Sequence, residues 1–268
     1  MSEKTEKFES VPCAICKKND QSHFLSKDRF NIVKCNTCGL IYVNPRLKKE
    51  YIFQRYSKDY FVNEYLPALT KDKLGKEQHY TNLLNNVKGF IGFLRKPDDL
   101  SAQIINLFEI GCGAGLLLKI ASDKFNFNVK GIELNPYCIE YAEKELGLTN
   151  KISCKDIDIC DISYYQNTDI IIMDEVIEHL LDPFGILLRC FNGLNNKGVL
   201  FVSTPNIESK KTNIGPTEHL YYFSVTTLKL MLENIGFKIL GIDYSDPENK
   251  EEIFMYCAKE KMKEITYE

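Results

Sequence analysis

The sequence predicts an α/β protein: a doubly wound, mostly parallel sheet of seven strands, preceded by a small cysteine-clasped ribbon. Three observations carry this. From about residue 101 onward, apolar runs alternate with amphipathic stretches separated by turns. The last two apolar runs are joined by the short polar link SDPENKE, which has no room for a crossover helix, so this edge is expected to be an antiparallel hairpin. Near the start, Cys13, Cys16, Cys35 and Cys38 form two C-x2-C pairs separated by eighteen residues.

The strands are read at IINLFEIG, NVKGIEL, KISCKD, TDIIIMD, GVLFVSTPN, FKILGIDY and EIFMYCAK. Helices lie between them. Asn135-Pro136 and Asp182-Pro183 each supply an N-cap followed by proline at the first helical position, and Gly147 and Gly236 stand where C-terminal caps belong. Leu228, Met231, Leu232 and Ile235 follow helical spacing after Ser224 and are expected as core. Composition divides the chain into a ribbon over 1–45, a helical linker or cap over 46–100 ending in the breaker KPDD, and a ligand-binding domain over 101–268. Residues 1–10 read as a charged, frayed leader, and SHFLS, FNIVKC and LIYV as short strands of the ribbon.

The 268 residues are 44% hydrophobic and 26% charged, which excludes collagen-like, low-complexity and broadly disordered chains. Lys+Arg is 34 against Asp+Glu 37, a net charge of −3 without the global basic excess of a nucleic-acid protein. No apolar run approaches the ~18 residues of a membrane span, and the leader MSEKTEKFES lacks the apolar core of a secretory signal. The expectation is a cytoplasmic protein with no membrane partner.

The cysteine pairs come first. Each C-x2-C sets two thiolates on one tight turn, and two facing turns complete a tetrahedron around Zn²⁺. Four thiolates close the coordination shell, so the zinc would be structural, stabilising a ribbon too small to bury a core of its own. Four incidental cysteines, or a redox pair, are the competing readings; neither pair lies beside a βαβ unit. His23, between the pairs, would be a ligand only by displacing a cysteine. Cys112, Cys138, Cys154, Cys160, Cys190 and Cys257 stand singly among apolar neighbours and read as small hydrophobes. The stretch KCNTCGLIYVNPR resembles the end of the zinc-ribbon leader found on some bacterial methyltransferases.

The second site is LFEIGCGAG, a strand that ends in glycines and runs into the helix LLLKIAS. Gly111, Gly113 and Gly115 permit a tight turn and a close ligand approach. A dinucleotide fingerprint would need glycine at 116, where Leu116 stands; the spacing is instead G-x-G-x-G, preceded by Glu109. Glu133 ends the next strand, 22 residues after Gly111, where a carboxylate can hold both hydroxyls of an adenosyl ribose; a solvated strand-end acid is the alternative.

Together these residues resemble a class I S-adenosylmethionine (SAM) methyltransferase with a Rossmann-like sheet, over roughly residues 105–260. The resemblance implies that Gly111, Cys112, Gly113 and Gly115 wrap the methionine end of SAM. It implies that Glu133 holds the ribose while Leu134 packs on the adenine, and that Asp156 and the Ile157 N–H bind the adenine edge. IIIMDEVIEHLLDP is similar to the motif after strand four of the ubiquinone-biosynthesis O-methyltransferases, which implies that Asp174, Glu175 and Val176 line the methyl end. YSKDYF resembles a segment of zinc-ribbon relatives that folds over SAM, making Tyr56 and Tyr60 substrate-side candidates, with interdomain core as the equal alternative. No substrate-defining signature accompanies these motifs.

Of the four histidines, His79 reads as solvated. His179 follows strand four and His219 follows strand five, both beyond strand carboxyl ends, where ligands bind in doubly wound sheets. Each is either a structural hydrogen-bonding imidazole or a catalytic base. His219 is preferred because it sits on a loop with Tyr221 and Tyr222, assigned here to the substrate, after a polar segment (206–217) that reads as a lid. Three function classes follow: methyl transfer to a small molecule such as a sugar nucleotide or other biosynthetic intermediate; methyl transfer to RNA or protein with the ribbon as docking module; and SAM binding without chemistry. Fold alone does not choose the acceptor.

Overall fold

A computed structural model describes residues 7–95, 104–215 and 217–259. Its strands are β1 (Phe8–Glu9), β2 (Gln21–Lys27), β3 (Phe30–Cys35), β4 (Ile41–Val43), β5 (Arg46–Leu47), β6 (Asn106–Ile110), β7 (Asn128–Glu133), β8 (Ile152–Cys154), β9 (Thr168–Met173), β10 (Leu194–Pro205), β11 (Tyr221–Tyr222), β12 (Phe237–Tyr244) and β13 (Glu252–Lys259). The longer helices are α1 (Lys73–Leu94), α2 (Leu116–Phe125), α3 (Pro136–Leu146), α4 (Pro183–Gly193) and α5 (Val225–Ile235), and short helical turns fill 49–71. The breaker KPDD lies outside the described residues.

The seven strands read from the sequence form one sheet in the order β12-β13-β10-β9-β6-β7-β8. β10, β9, β6, β7 and β8 are parallel, and β13 runs antiparallel between β10 and β12. Central β9 is buried along its whole length, and apolar from Ile170 to Met173, because both of its faces are covered. Ile170 and Ile172 face a core built with α1 and α2, whereas Ile171 and Met173 face the one beneath α4 and α5. The caps follow the sequence. Asn135 accepts from Tyr137 N at 3.0 Å, Asp182 accepts from Gly185 N at 3.1 Å, and Ser224 with Thr227 forms a capping box on α5.

The ribbon departs from the expected separate unit. β2, β3 and β4 form an antiparallel sheet whose fourth strand is β11, nearly two hundred residues away in sequence. Ile32, Leu40 and Tyr42 share one core with Leu228 and Met231 of α5. The leader is not frayed throughout: Phe8 and Glu9 pair with Leu47 and Arg46. Segment 206–217, read as a lid, is tied down where it is described. Lys211 pairs with Glu251 at 2.6 Å, and Lys27 Nζ donates to Asn213 Oδ1 at 3.1 Å. Five of the six single cysteines are buried as expected, while Cys154 is exposed at the end of β8. Among the described residues no helix is long and apolar enough to cross a membrane.

Candidate functional site

The carboxyl ends of β6, β7 and β9 open into a cavity of about 610 Å³, within the range of small-molecule sites. Its floor is the turn after β6. Gly111 and Gly113 take φ of +65° and +51°, and a Cβ on Gly111 would lie 2.6 Å from Val176 Cγ2, so side chains are excluded there for both conformational and steric reasons. Cys112 lines the cavity between them. Gly115 does not line it among the described residues; with φ of +77° it is the N-cap of α2, and a Cβ there would strike Leu148. The packing of α2 against Leu148 and Ile152 is what requires glycine here.

Glu133, at the end of β7, is buried and lines the cavity. Its Oε2 accepts from Gly113 N at 2.9 Å, and its Oε1 accepts from Leu134 N and Asn135 N, both at 2.7 Å. Burial pushes its pKa up, and the three N–H donors work against that shift. Three of about four carboxylate acceptor positions are thus occupied. The open capacity is on Oε2, so a two-hydroxyl grip requires the Gly113 N–H to give way. Glu109, on β6, is fully enclosed, and its Oε2 has no hydrogen-bond partner among the described residues. Burial first, then Asp174 and Glu133, hold its pKa far above the carboxylate range.

The opposite wall comes from the segment before the sheet. Tyr56 and Tyr60 both line the cavity, together with Tyr65, which the sequence reading missed. The Tyr65 hydroxyl accepts from Ala114 N at 2.9 Å and sits directly over Gly113. Arg55 stacks 4.8 Å from the Tyr60 ring and pairs with Glu218 at 2.9 Å, tying this wall to the loop that carries His219. At the edge expected to meet the adenine, Leu134, Asp156 and Ile157 all line the cavity. Asp156 accepts from Asp158 N and pairs with Lys49.

The far end holds the groups that follow β9. Glu175 has φ of +52°, an unusual backbone for a non-glycine residue. Ser203, on β10, fixes it: the Glu175 N–H donates to Ser203 Oγ at 2.9 Å, and Ser203 Oγ donates to Asp174 Oδ1 at 2.6 Å. Burial raises the pKa values of Glu175 and Glu178 to about 8. His179 Nδ1 donates to the Glu218 carbonyl at 2.9 Å, leaving Nε2 as an acceptor 4.0 Å from Glu178 Oε1. Burial lowers the His179 pKa as it raises that of Glu178, so both are neutral near pH 7 and their proximity is not an ion pair. The His219 ring packs edge-on to His179 with centroids 4.8 Å apart, and burial, then His179, hold its pKa down to about 4. Both histidines line the cavity.

The sheet itself has the fold of the solved methyltransferases it resembles. A methyltransferase-domain family matches residues 55–241. The chain belongs to this family. Its family is that of methyltransferase domains, and its fold is that of SAM-dependent methyltransferases. Ubiquinone biosynthesis O-methyltransferase, mitochondrial, from Saccharomyces cerevisiae is 30% identical over 184 residues, covering 65% of this chain and 54% of that protein. The ubiquinone biosynthesis O-methyltransferase of Actinobacillus pleuropneumoniae is 35% identical over 109 residues, covering 37% of this chain and 45% of that protein. The chain spans about half the length of the curated relatives it matches. Among solved structures, a SAM-dependent methyltransferase from Archaeoglobus fulgidus superposes with a TM-score of 0.56 at 18% identity, covering 74% of this chain and 100% of that one. The N-methyltransferase NodS of Bradyrhizobium japonicum WM9, in complex with S-adenosyl-L-homocysteine, gives 0.56 at 15%, covering 78% and 98%. At these identities the likeness is one of fold.

The methyltransferase's residues fit SAM. The Glu109 carboxyl with its unpartnered oxygen and the Glu133 carboxyl beside it suit a ligand bearing hydroxyl and amino donors, and the turn leaves no room for a Cβ at Gly111 or Gly113. Two expectations are corrected. Tyr221 and Tyr222 are buried in β11 and, among the described residues, do not line the cavity; pairing with Tyr42 and Ile41 turns their backbone into the ribbon sheet. His79 is half-buried, its ring tilted against Phe254 with centroids 5.5 Å apart, and not simply solvated. The four paired cysteines converge, with Cys13 Sγ 3.3 Å from Cys38 Sγ and Cys16 Sγ 3.4 Å from Cys35 Sγ. These separations are too long for disulfides and suit the edges of a four-thiolate site. His23 is outside the cluster, bonded to Ser26 Oγ at 2.9 Å.

Proposed function

We propose that this methyltransferase moves the methyl group of SAM to a hydroxyl of a small-molecule acceptor, a sugar nucleotide or another biosynthetic intermediate. When bound, SAM supplies an electrophilic sulfonium methyl that needs little beyond a nucleophile held close and in line. The observation that carries the hydroxyl is the unprotonated imidazole of His219 in the cavity wall beside His179. A base is needed only where the nucleophile arrives protonated. Glu133 would take a ribose hydroxyl on Oε2, Leu134 would pack on the adenine, and Asp156 with the Ile157 N–H would meet its edge. Asp174, Glu175 and Val176 would border the methyl group. Tyr56 and Tyr60 would cover the acceptor and exclude water, strengthening polar contacts inside.

What supports a small acceptor over RNA or protein is the placement of the ribbon, whose β4 edge pairs with β11 and whose inner face is packed into the core. Incubating the protein with methyl-labelled SAM and fractionated cell extract is expected to place the label in the small-molecule fraction. Label confined to RNA or protein would overturn the reading. The paired cysteines would hold one structural Zn²⁺. Metal analysis should find one zinc per chain, lost in the Cys13→Ser, Cys35→Ser double variant; a zinc-free protein or retention in the variant would refute this.

A further inference from the structure

Arg46 lies outside the cavity, yet it touches both histidine-bearing segments from behind. It sits in β5, 8% exposed, with Nε donating to Glu9 Oε1 at 2.9 Å. Its Nη1 donates to the Leu181 carbonyl at 2.8 Å and to the Tyr221 hydroxyl at 3.2 Å, and that hydroxyl donates in turn to the same Leu181 carbonyl at 3.1 Å. Leu181 is two residues beyond His179, and Tyr221 is two residues beyond His219. The closed triangle therefore fixes the spacing of the two chains that carry the imidazoles. The ribbon adds to it: Val43 N donates to the Leu220 carbonyl at 2.9 Å, while Leu220 N donates to the Glu178 carbonyl at 2.8 Å.

We propose that Arg46 is a positioning residue, which clamps the Leu181 and Tyr221 segments together so that His179 and His219 stay packed edge-on in the acceptor end of the cavity. The ribbon's place in the molecule then has a functional meaning: its last strand and Arg46 form the back wall of the acceptor site. A buried guanidinium with three oxygen partners suits this role better than lysine, whose ammonium cannot span the same fork. The proposal rests on the reading of His219 as an acceptor-side group, but its consequence can be tested without an acceptor.

The four histidines make the test direct. In protein with isotope-labelled imidazoles, NMR titration reports His179 and His219 separately from His23 and His79, which lie elsewhere. The groups facing His219 are His179, the Glu178 carboxyl, Glu218, Arg55 and the Tyr222 ring. In Arg46→Met the clamp opens and water reaches the rings. Both pKa values are expected to rise toward the ordinary 6.5, that of His219 by about one unit. His23 and His79, SAM affinity by calorimetry and bound zinc should stay as in the unmodified protein, and Arg46→Lys should recover part of the shift. Wild-type titration of both rings in Arg46→Met would overturn the proposal. Should that variant not fold, Tyr221→Phe decides: it keeps the ring against Tyr42 but removes the bridging hydroxyl, and unshifted His179 and His219 would equally overturn the clamp. Failure of the base assignment itself would appear separately, as full activity in a His219 variant.

Discussion

Replacing Glu133 with alanine is expected to weaken SAM binding by about 10²-fold or more, read by calorimetry on the purified protein. Charge-assisted hydrogen bonds contribute about 1.5–3 kcal/mol each, so losing even one ribose hydroxyl bond approaches that factor. The structure adds a second loss. The Glu133 carboxylate is the acceptor for Gly113 N, Leu134 N and Asn135 N, so its removal leaves the glycine turn and the entry to α3 without their shared anchor. Glu133→Gln separates the two contributions. Its amide oxygen can still accept from Leu134 N and Asn135 N, but its NH₂ group would face the Gly113 N–H as donor against donor. Affinity should therefore fall in both variants, with the α3 cap kept in the glutamine one. Unchanged SAM affinity in Glu133→Ala would move the ribose elsewhere in the cavity.

Local chemistry made much of this architecture legible. The glycines that turn β6 into α2, the Asn-Pro and Asp-Pro caps and the apolar run of β9 each carry their structural reason within a few residues. So does the polar link that forces β12 and β13 into a hairpin. What the sequence hid depends on distant pairing. Nothing within YYFS reveals that Tyr221 and Tyr222 complete the ribbon sheet, because the partner strand is Ile41–Val43. The two tyrosines next to His219 therefore looked like substrate contacts while their backbone was committed to a sheet. Gly115 belongs to the same glycine run as Gly111 and Gly113, but the run does not reveal that its neighbours are Leu148 and Ile152, side chains of the packed core. Tyr65 and Ser203 lack any motif, and Glu178 stands inside IIIMDEVIEHLLDP without a distinguishing signal; all three become visible only when their partners at Ala114, Asp174 and Thr204 are in place. The cysteine quartet is the opposite case, since two short spacings already specify four sulfurs around one point.

The remaining large effect belongs to His219. His219→Ala is expected to lower turnover by about 10²-fold while SAM affinity stays nearly intact, the pattern left when only acceptor-side interactions are removed. His219→Asn keeps a hydrogen-bonding group that takes up no proton near neutrality. Equal loss in both variants marks a base, and recovery in the asparagine variant marks a binding contact. The pH dependence gives an independent check. Burial and the adjacent His179 hold the imidazole's pKa down to about 4, so the proton-accepting form is already present throughout the neutral range. The acid limb of kcat/KM should then fall near pH 4, not near 6.5. Stability must follow the same group with the sign of a depressed pKa: between 6.5 and 4 the unfolded chain binds a proton that the folded His219 refuses, so its contribution to folding is lost as pH falls through that window. Denaturant midpoints measured at pH 5 and pH 7 should differ less in His219→Asn than in the unmodified protein. Full activity in both variants would return His219 to a structural role and shift the base to His179, whose free Nε2 faces the same end of the cavity.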